Sequence, residues 1–441
     1  MLIQKTYSFY NYDPRFFELA KEAGEVYSRS LEEFWKEYNE NKNWLSKFEL
    51  QEHMKDKIKR NILHSHSFLG AMQQVHANLK SWREAKKVNP TTAKPPSKKK
   101  FLQAIVLKQS QIKFENGKLK LSITNGSNGY DKYLYLNWNP KIPIPVYATI
   151  TYSKIRGWKI NLVIEQEEKE NLFLNPNKSL SIDLGVKRIA TFFDGEKSII
   201  LSGKKYLALM HYRNKYDAKN KSKIAHKKNI GLQQQKDKLK KELELKQKEN
   251  GETNKEIKIN ITYKESNNYK KAKRSSRKRV DKIQNIQQDM LHKQSRFIIN
   301  YAIHNNIGNI IIGDNSSTHD GPNLGKKNNQ KISQNPEQKL KNYIEYKFES
   351  ISGEVNIVPE PYTSQTCPCC GTRKKQTNRR YICENANCLF VYDRDGVGAI
   401  NIYQENVSFS QKLSEECIRS LMEPIGIKFK NEFSFKSYVV G

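Results

Sequence analysis

The sequence predicts a multidomain α+β protein, and three observations lead there. Apolar residues recur at helical spacing up to about residue 87, then at period two from 101 to about 167. From 175 onward the elements read in the order βββ-α-β-α-β-α. All six cysteines lie after residue 366, five of them within 22 residues. A chain of 441 residues is long enough for two or three domains, each with its own core.

The first half divides by period. Residues 2–10 alternate like a short strand, and Asp13-Pro14 reads as a helix start. Phe16, Leu19, Ala23, Tyr27, Leu31 and Phe34 then follow at helical spacing. A second helix is expected over 48–61, and a third carries Phe68, Met72, Val75, Leu79 and Trp82 on one face. These stripes read as core, and His64 and His66 as solvated loop residues. The Pro-rich, basic stretch 88–100 is a linker. After it, "FLQAIVL", "SQIKF", "KLKLSI", "KYLYLN", "VYATITY" and "GWKINLVIE" are short strands of a small antiparallel barrel. Residues 1–10 and 101–170 are expected to form that barrel, with the helices of 11–87 inserted into it.

In the second half, residues 179–185, 188–193 and a strand from 197 read as three antiparallel strands. A long polar helical stretch follows, then helix 283–305, strand 309–313, helix 335–349 and strand 354–359. Three antiparallel strands followed by parallel ones, reached through helices, form the ribonuclease-H-like pattern, here over 175–404. The tail 405–441 offers no clear signal.

Charge narrows the partners. The 78 Lys and Arg against 46 Asp and Glu leave a formal net charge of +32. With 37% hydrophobic and 10% aromatic residues the chain folds, so this excess calls for a polyanion, foremost nucleic acid. An acidic membrane surface finds no support in a long apolar run or a lipidation signal. The amino-terminal residues lack a signal-peptide core, so an intracellular setting is expected. The run "KAKRSSRKRV" (271–280) offers Lys271, Lys273, Arg274, Arg277, Lys278 and Arg279 as a nucleic-acid backbone contact without sequence specificity.

Two constellations point to metal. Cys367 and Cys370 form one knuckle, and Cys383 and Cys388 a second with four residues between its cysteines. Four thiolates suit tetrahedral zinc, and two knuckles on a hairpin make a zinc ribbon over about 362–392, closed and therefore structural. Cys369, inside the first knuckle, can compete with its neighbours; Cys417 is isolated and expected to be buried. The second constellation is acidic. Asp183 sits mid-strand between Ile182 and Leu184, where burial is costly unless it binds metal or is paired. Asp395 sits where a helix begins, with Gly396, Gly398 and Ala399 allowing close packing, while Asp393 is expected to be exposed. In a ribonuclease-H-like fold the first strand's acid faces the start of the last helix, so Asp183 and Asp395 can converge.

"SIDLGVKRIA", "EYKFESISGEVNIVPEPYTSQTCPCCG" and "YDRDGVGAINIY" resemble the RuvC nuclease domain of the transposon-encoded TnpB proteins, relatives of Fanzor and of compact type V CRISPR effectors. The resemblance covers about 178–404. Through it, the barrel corresponds to a wedge domain and the inserted helices to a recognition domain. It implies an RNA-guided, Mg2+-dependent DNA endonuclease in which guide RNA pairs with target double-stranded DNA. Carboxylates would hold two Mg2+ about 4 Å apart. A monomer in the cytoplasm, nucleoid-associated when bound to DNA, is expected.

One departure stands out. The strand "NIIIGD" ends in Glu in most members, but here Gly313 takes that place, followed by Asp314. Asp314 can substitute, although a one-residue shift turns a strand side chain to the opposite face. The protein can instead be a nuclease-dead RNA-guided DNA binder, such as a repressor. Or the glutamate has moved to Glu360, at the end of the neighbouring parallel strand and bracketed by Pro359 and Pro361. Relocation is the preferred reading, with Asp183, Glu360 and Asp395 as magnesium ligands. A transposase or guide-independent nuclease is the third function class.

Overall fold

A computed structural model describes residues 2–88, 90–98, 102–153, 156–167, 173–249, 265–314, 325, 334–376, 378–429 and 435–439. The chain divides into two compact units, residues 1–168 and 169–441.

In the first unit, β1 (Leu2–Tyr10) leads into α1 (Arg15–Asn41), α2 (Lys47–Met54) and α3 (Ser65–Val88). Phe16, Leu19, Ala23, Tyr27, Leu31 and Phe34 line the buried face of α1, three or four residues apart. The helix ends at Lys42, which takes a left-handed conformation and donates its N–H to Tyr38 O. The helix expected over 48–61 stops at Met54. A tight turn follows, with Lys55 and Lys57 donating to Glu52 O and Met54 O, and further on the Glu22 carboxylate of α1 accepts the backbone N–H groups of Asn61, Ile62 and Leu63 at 2.8, 2.9 and 3.1 Å. Donors satisfied this way have no need of a helix. His64 and His66 are not solvated loop residues. Both are half-buried at the start of α3, where His66 Nδ1 lies 2.7 Å from Ser110 Oγ.

The strands β2 (Ile105–Lys108), β3 (Ile112–Glu115), β4 (Lys118–Ser122), β5 (Tyr133–Asn137), β6 (Tyr147–Ser153) and β7 (Gly157–Glu167) follow. They pair as two antiparallel sheets, β1-β7-β6-β2 and β3-β4-β5, that contribute to one core. The barrel expected here thus takes the form of two sheets. The break is a single 3-10 turn at Gln109–Gln111, anchored by the buried Gln111 amide, which donates to Ser67 Oγ and Ser122 O.

In the second unit, β8 (Asn175–Leu184), β9 (Arg188–Phe193) and β10 (Ser198–Ser202) form an antiparallel meander. The long helices α4 (Lys204–Glu249) and α5 (Asn267–His304) lead to β11 (Ile307–Asp314), α6 (Glu337–Glu349) and β12 (Glu354–Pro359). β11 lies between β8 and β12 and is parallel to both. A small hairpin, β13 (Arg380–Ile382) with β14 (Val391–Asp393), precedes α7 (Arg394–Asn406) and α8 (Glu415–Arg419). Finally β15 (Ile425–Phe429) and β16 (Phe435–Val439) join the sheet, giving the order β12-β11-β8-β9-β10-β15-β16.

Alternation sorts side chains to the two faces of this sheet. Leu180, Ile182, Ile310 and Ile312 share a core with Leu291 and Ile298 of α5 and Leu340, Ile344 and Phe348 of α6. Ile311 and Phe193 instead pack with Val397, Ala399, Ile400 and Ile402 of α7. Asp183 and Gly313 therefore belong to the α7 face, and Asp314 to the α5–α6 face. No described helix is long and apolar enough to cross a membrane.

Candidate metal centre

Three adjacent strands end together. Ile312 pairs with Ile182 across β11 and β8, so Gly313 and Asp183 are neighbours one residue further on. On the other side Gly313 pairs with Val358 of β12, two residues before Glu360. Glu360 is 8% exposed and turns over the α7 face at Gly313. A Cβ at 313 would coincide with its Oε2 and lie 2.7 Å from its Cδ and from Ile402 Cδ1. Glycine is what the central strand needs if the outer strand's carboxylate is to pass over it.

A second glycine brings in α7. A Cβ on Gly398 would overlap Asp183 Oδ2 and lie 3.3 Å from its Cγ, so a side chain there would displace that carboxylate. Ser181, two residues back on β8, fixes the approach by donating to Ala399 O at 2.7 Å. Burial pushes the Asp183 carboxyl well above the usual carboxylate range; the charges of Glu360, Asp395 and Glu337 add to this, and Arg394 opposes it.

Asp395 opens the helix among cations. Its Oδ2 lies 2.8 Å from Arg379 Nη1 and 3.2 Å from Arg188 Nη1, and its Oδ1 lies 3.7 Å from Arg394 Nη2. Asp393, expected to be exposed, is 6% exposed and caps α7. It accepts the N–H groups of Asp395 and Gly396 at 3.0 and 3.2 Å and pairs with Arg188. Its burial follows from that cap and that arginine. Asp183 and Asp395 line one pocket with Arg188, Arg379 and Arg394. Asp183, Glu360 and Asp395 share a face without closing into one cluster. Among the described residues, only the four cysteines bring three or more metal-donor atoms within 4.8 Å of one another. Asp314, on the opposite face, is ion-paired with the buried Lys341 of α6.

Cys367 Sγ lies 3.7 Å from Cys388 Sγ, and Cys370 Sγ 3.5 Å from Cys383 Sγ. The first knuckle closes through Gly371 N–H to Cys367 O, with Gly371 at φ 71°. Four soft donors at this spacing fit tetrahedral zinc. Cys369 is buried but outside the tetrad, its thiol pushed up to about 12 chiefly by burial. Cys417, expected to be buried, is exposed, because the five-residue α8 buries only Ile418.

Of the basic run on α5, Lys271, Arg274, Arg277, Lys278 and Arg279 are exposed, Arg279 also donating to Tyr212 OH at 2.7 Å, whereas Lys273 is half-buried and bonds Glu265 at 2.9 Å. Sequence reasoning missed Arg188, Arg379 and Arg394 around Asp395. Their only sequence signal is proximity to the acidic motifs.

The family described as "Cas12f1-like, TNB domain" matches residues 338–402, from α6 through the cysteine hairpin into α7. A TnpB-like protein of Methanocaldococcus jannaschii is 32% identical over 137 residues, 31% of this chain and 48% of that protein. Over those residues the chain is similar to TnpB-like proteins. Its match spans about half the length of that curated relative. A solved Cas12f1–sgRNA–target DNA complex aligns at a TM-score of 0.52 and 15% identity, over 89% of this chain and 83% of that one. At that identity the likeness to Cas12f1 is one of fold.

Proposed function

We propose that this chain is a TnpB-type RNA-guided DNA endonuclease whose RuvC-type site has its glutamate at Glu360. The observation that carries the reading is the passage of the Glu360 carboxylate over Gly313, on the face where Asp183 lies under α7. A surface turn glutamate would have no reason to occupy a hole in the central strand.

Hard carboxylate oxygens, with Glu360 and Asp395 adding to the raised proton affinity of Asp183, fit a divalent cation such as Mg2+. Asp183, Glu360 and Asp395 would hold it. Bound there, a pair of such ions supplies an activated water and a counter-charge for the leaving oxygen. The chain's own residues prepare the site. Gly313 and Gly398 clear space for two carboxylates, and Asp393 fixes the start of α7 and with it the backbone of Asp395. Arg188, Arg379 and Arg394 neutralise Asp395 and offer guanidinium groups to a phosphodiester. The four cysteines would hold a structural zinc that braces the chain entering α7.

Guide RNA and target double-stranded DNA are the proposed partners. The basic surface would hold a guide–target duplex by its backbone while base pairing supplies sequence. In this reading, residues 1–168 supply the wedge strands and the recognition helices, and the protein works in the cytoplasm, on the nucleoid. One observation favours the second reading, a nuclease-dead RNA-guided repressor: Asp395 is engaged by three arginines and the carboxylates do not close together.

Cleavage decides between them. The protein is purified with its native locus, the bound RNA is sequenced, and a plasmid library with randomised flanks is offered with Mg2+. Guide-dependent cutting lost in Asp183→Ala and Glu360→Ala supports the nuclease. Tight RNA-dependent binding without cutting supports the repressor, and cutting without RNA overturns both.

A further inference from the structure

The α4–α5 pair carries a feature that charge alone does not account for. Tyr212 and Tyr216 lie one turn apart on α4 with ring centroids 6.1 Å apart and planes 23° from parallel. The Arg279 guanidinium of α5 sits 5.8 and 5.3 Å from the two centroids, and its Nη2 donates to Tyr212 OH at 2.7 Å. Arg279 thus orients two aromatic faces instead of standing free to meet phosphate. Tyr212 nevertheless remains 44% exposed, so part of its ring is open to solvent.

The surroundings define what fits there. Tyr212, Lys215, Tyr216 and Lys219 fall at i, i+3, i+4 and i+7, which puts them on one stripe of α4. Lys215 and Lys219 are exposed, as is Lys282 one turn beyond Arg279 on α5. Residues 204–228 hold nine Lys and Arg against one acid, and residues 270–282 eight against one. Aromatic faces interleaved with cations on one surface are the chemistry of unpaired nucleotides, where bases stack and phosphates pair with lysine. A duplex offers only its backbone to such a surface.

We propose that Tyr212, Tyr216 and Arg279 form a stacking site for unpaired bases of a single nucleic-acid strand, with Lys215, Lys219 and Lys282 meeting the flanking phosphates. The inference rests on the nucleic-acid reading above but needs no cleavage activity. An unpaired stretch of RNA or a displaced DNA strand offers the same chemistry.

The test uses the full chain and three 12-residue probes: oligo(dT), oligo(U) and an abasic strand of equal charge. Affinities are measured by fluorescence anisotropy, and 5-iodouracil forms of the two base-bearing probes are photo-crosslinked and mapped by mass spectrometry. The wild type is expected to bind at least one base-bearing probe roughly tenfold tighter than the abasic strand. Crosslinks are expected on Tyr212 or Tyr216. Tyr212→Leu with Tyr216→Leu should abolish the preference and leave abasic binding unchanged, while the two Tyr→Phe changes keep it. Comparison of oligo(dT) with oligo(U) distinguishes a DNA from an RNA source. Equal affinity for all three probes, or crosslinks confined to other residues, overturns the site even if guide-dependent cleavage is found. If the leucine variant misfolds by circular dichroism, crosslink position and the phenylalanine variants still decide. A protein that cuts nothing but passes this test loses the nuclease reading and keeps the site.

Discussion

The carboxylate of Glu360 occupies the space that a side chain on Gly313 would need. The two residues act as one unit, because a glutamate just past the end of the outer strand β12 turns over the α7 face through a hole in the central strand β11. β12 and β8 stand two strand spacings apart, about 10 Å, and the glycine is what lets Glu360 lean across that gap. Glu360→Ala is therefore expected to lower guide-dependent plasmid cleavage by about 10²–10³-fold, the scale of losing one electrostatic stabiliser. Gly313→Glu in the Glu360→Ala background should return part of it. Gly313→Ala alone overpacks the site and should cost about 1–3 kcal/mol in a denaturant titration. A double variant as inactive as Glu360→Ala contradicts the exchange.

Asp183 makes the site pH-sensitive before any metal binds. Burial first, then the Glu360, Asp395 and Glu337 charges, hold its carboxyl well above the ordinary 3.8. The folded protein thus binds this proton more tightly than the unfolded chain does. The resulting stabilisation is fully present below 3.8 and is lost as pH rises through the folded value. In chelator, Asp183→Asn should melt a few degrees above wild type at about pH 8, and the gap should narrow towards about pH 4. Mg2+ should raise the melting temperature of wild type and not of the variant. A variant less stable than wild type across the whole range contradicts this account.

Much of this arrangement was legible in the sequence, for reasons tied to particular residues. The strand around Asp183 announces itself through Leu180, Ile182 and Leu184, which alternate against one core, and the same alternation places Asp314 opposite Gly313. Elements governed by distant partners were not legible. Glu22 fixes the non-helical backbone of 61–63 by accepting amides some forty residues away. Asp393 is buried because Arg188 of β9 reaches it. β15 joins the sheet only by pairing in parallel with β10, more than two hundred residues earlier in the chain.

Asp314 should matter to stability more than to chemistry. Its partner Lys341 is 5% exposed, so Asp314→Ala leaves a buried ammonium without its carboxylate. Breaking such a pair costs about 3–5 kcal/mol when both groups are buried, and less here because Asp314 is partly exposed. Cleavage at a temperature where the variant is folded should stay within a few-fold of wild type. Replacing both residues, with Asp314→Asn and Lys341→Met, should recover much of the stability. A specific loss of cleavage in folded Asp314→Ala would return this aspartate to the metal site.

The cysteine hairpin gives the last prediction. Four sulfur atoms lie within 4.8 Å of one another, and Cys369 is buried beside them without joining the set. One zinc per chain is expected by elemental analysis. Cys367→Ser or Cys388→Ser should lose it, and Cys369→Ser should retain it. Cys370 ionises readily: although burial opposes this, its side-chain and backbone contacts with Thr372 bring its thiol down to about 6. Zinc release measured with a chromogenic chelator should accelerate in Thr372→Val, which removes the hydroxyl 3.2 Å from Cys370 Sγ. Outer-shell changes of this kind typically weaken metal affinity by about 10–100-fold. Because Asn401 of α7 donates to Thr363 O and Thr366 O at 2.6 and 2.8 Å, loss of zinc should reach the helix that carries Asp395. Hydrogen exchange across 394–406 should rise in Cys388→Ser. Unchanged protection there would mean that the ribbon folds without bracing α7.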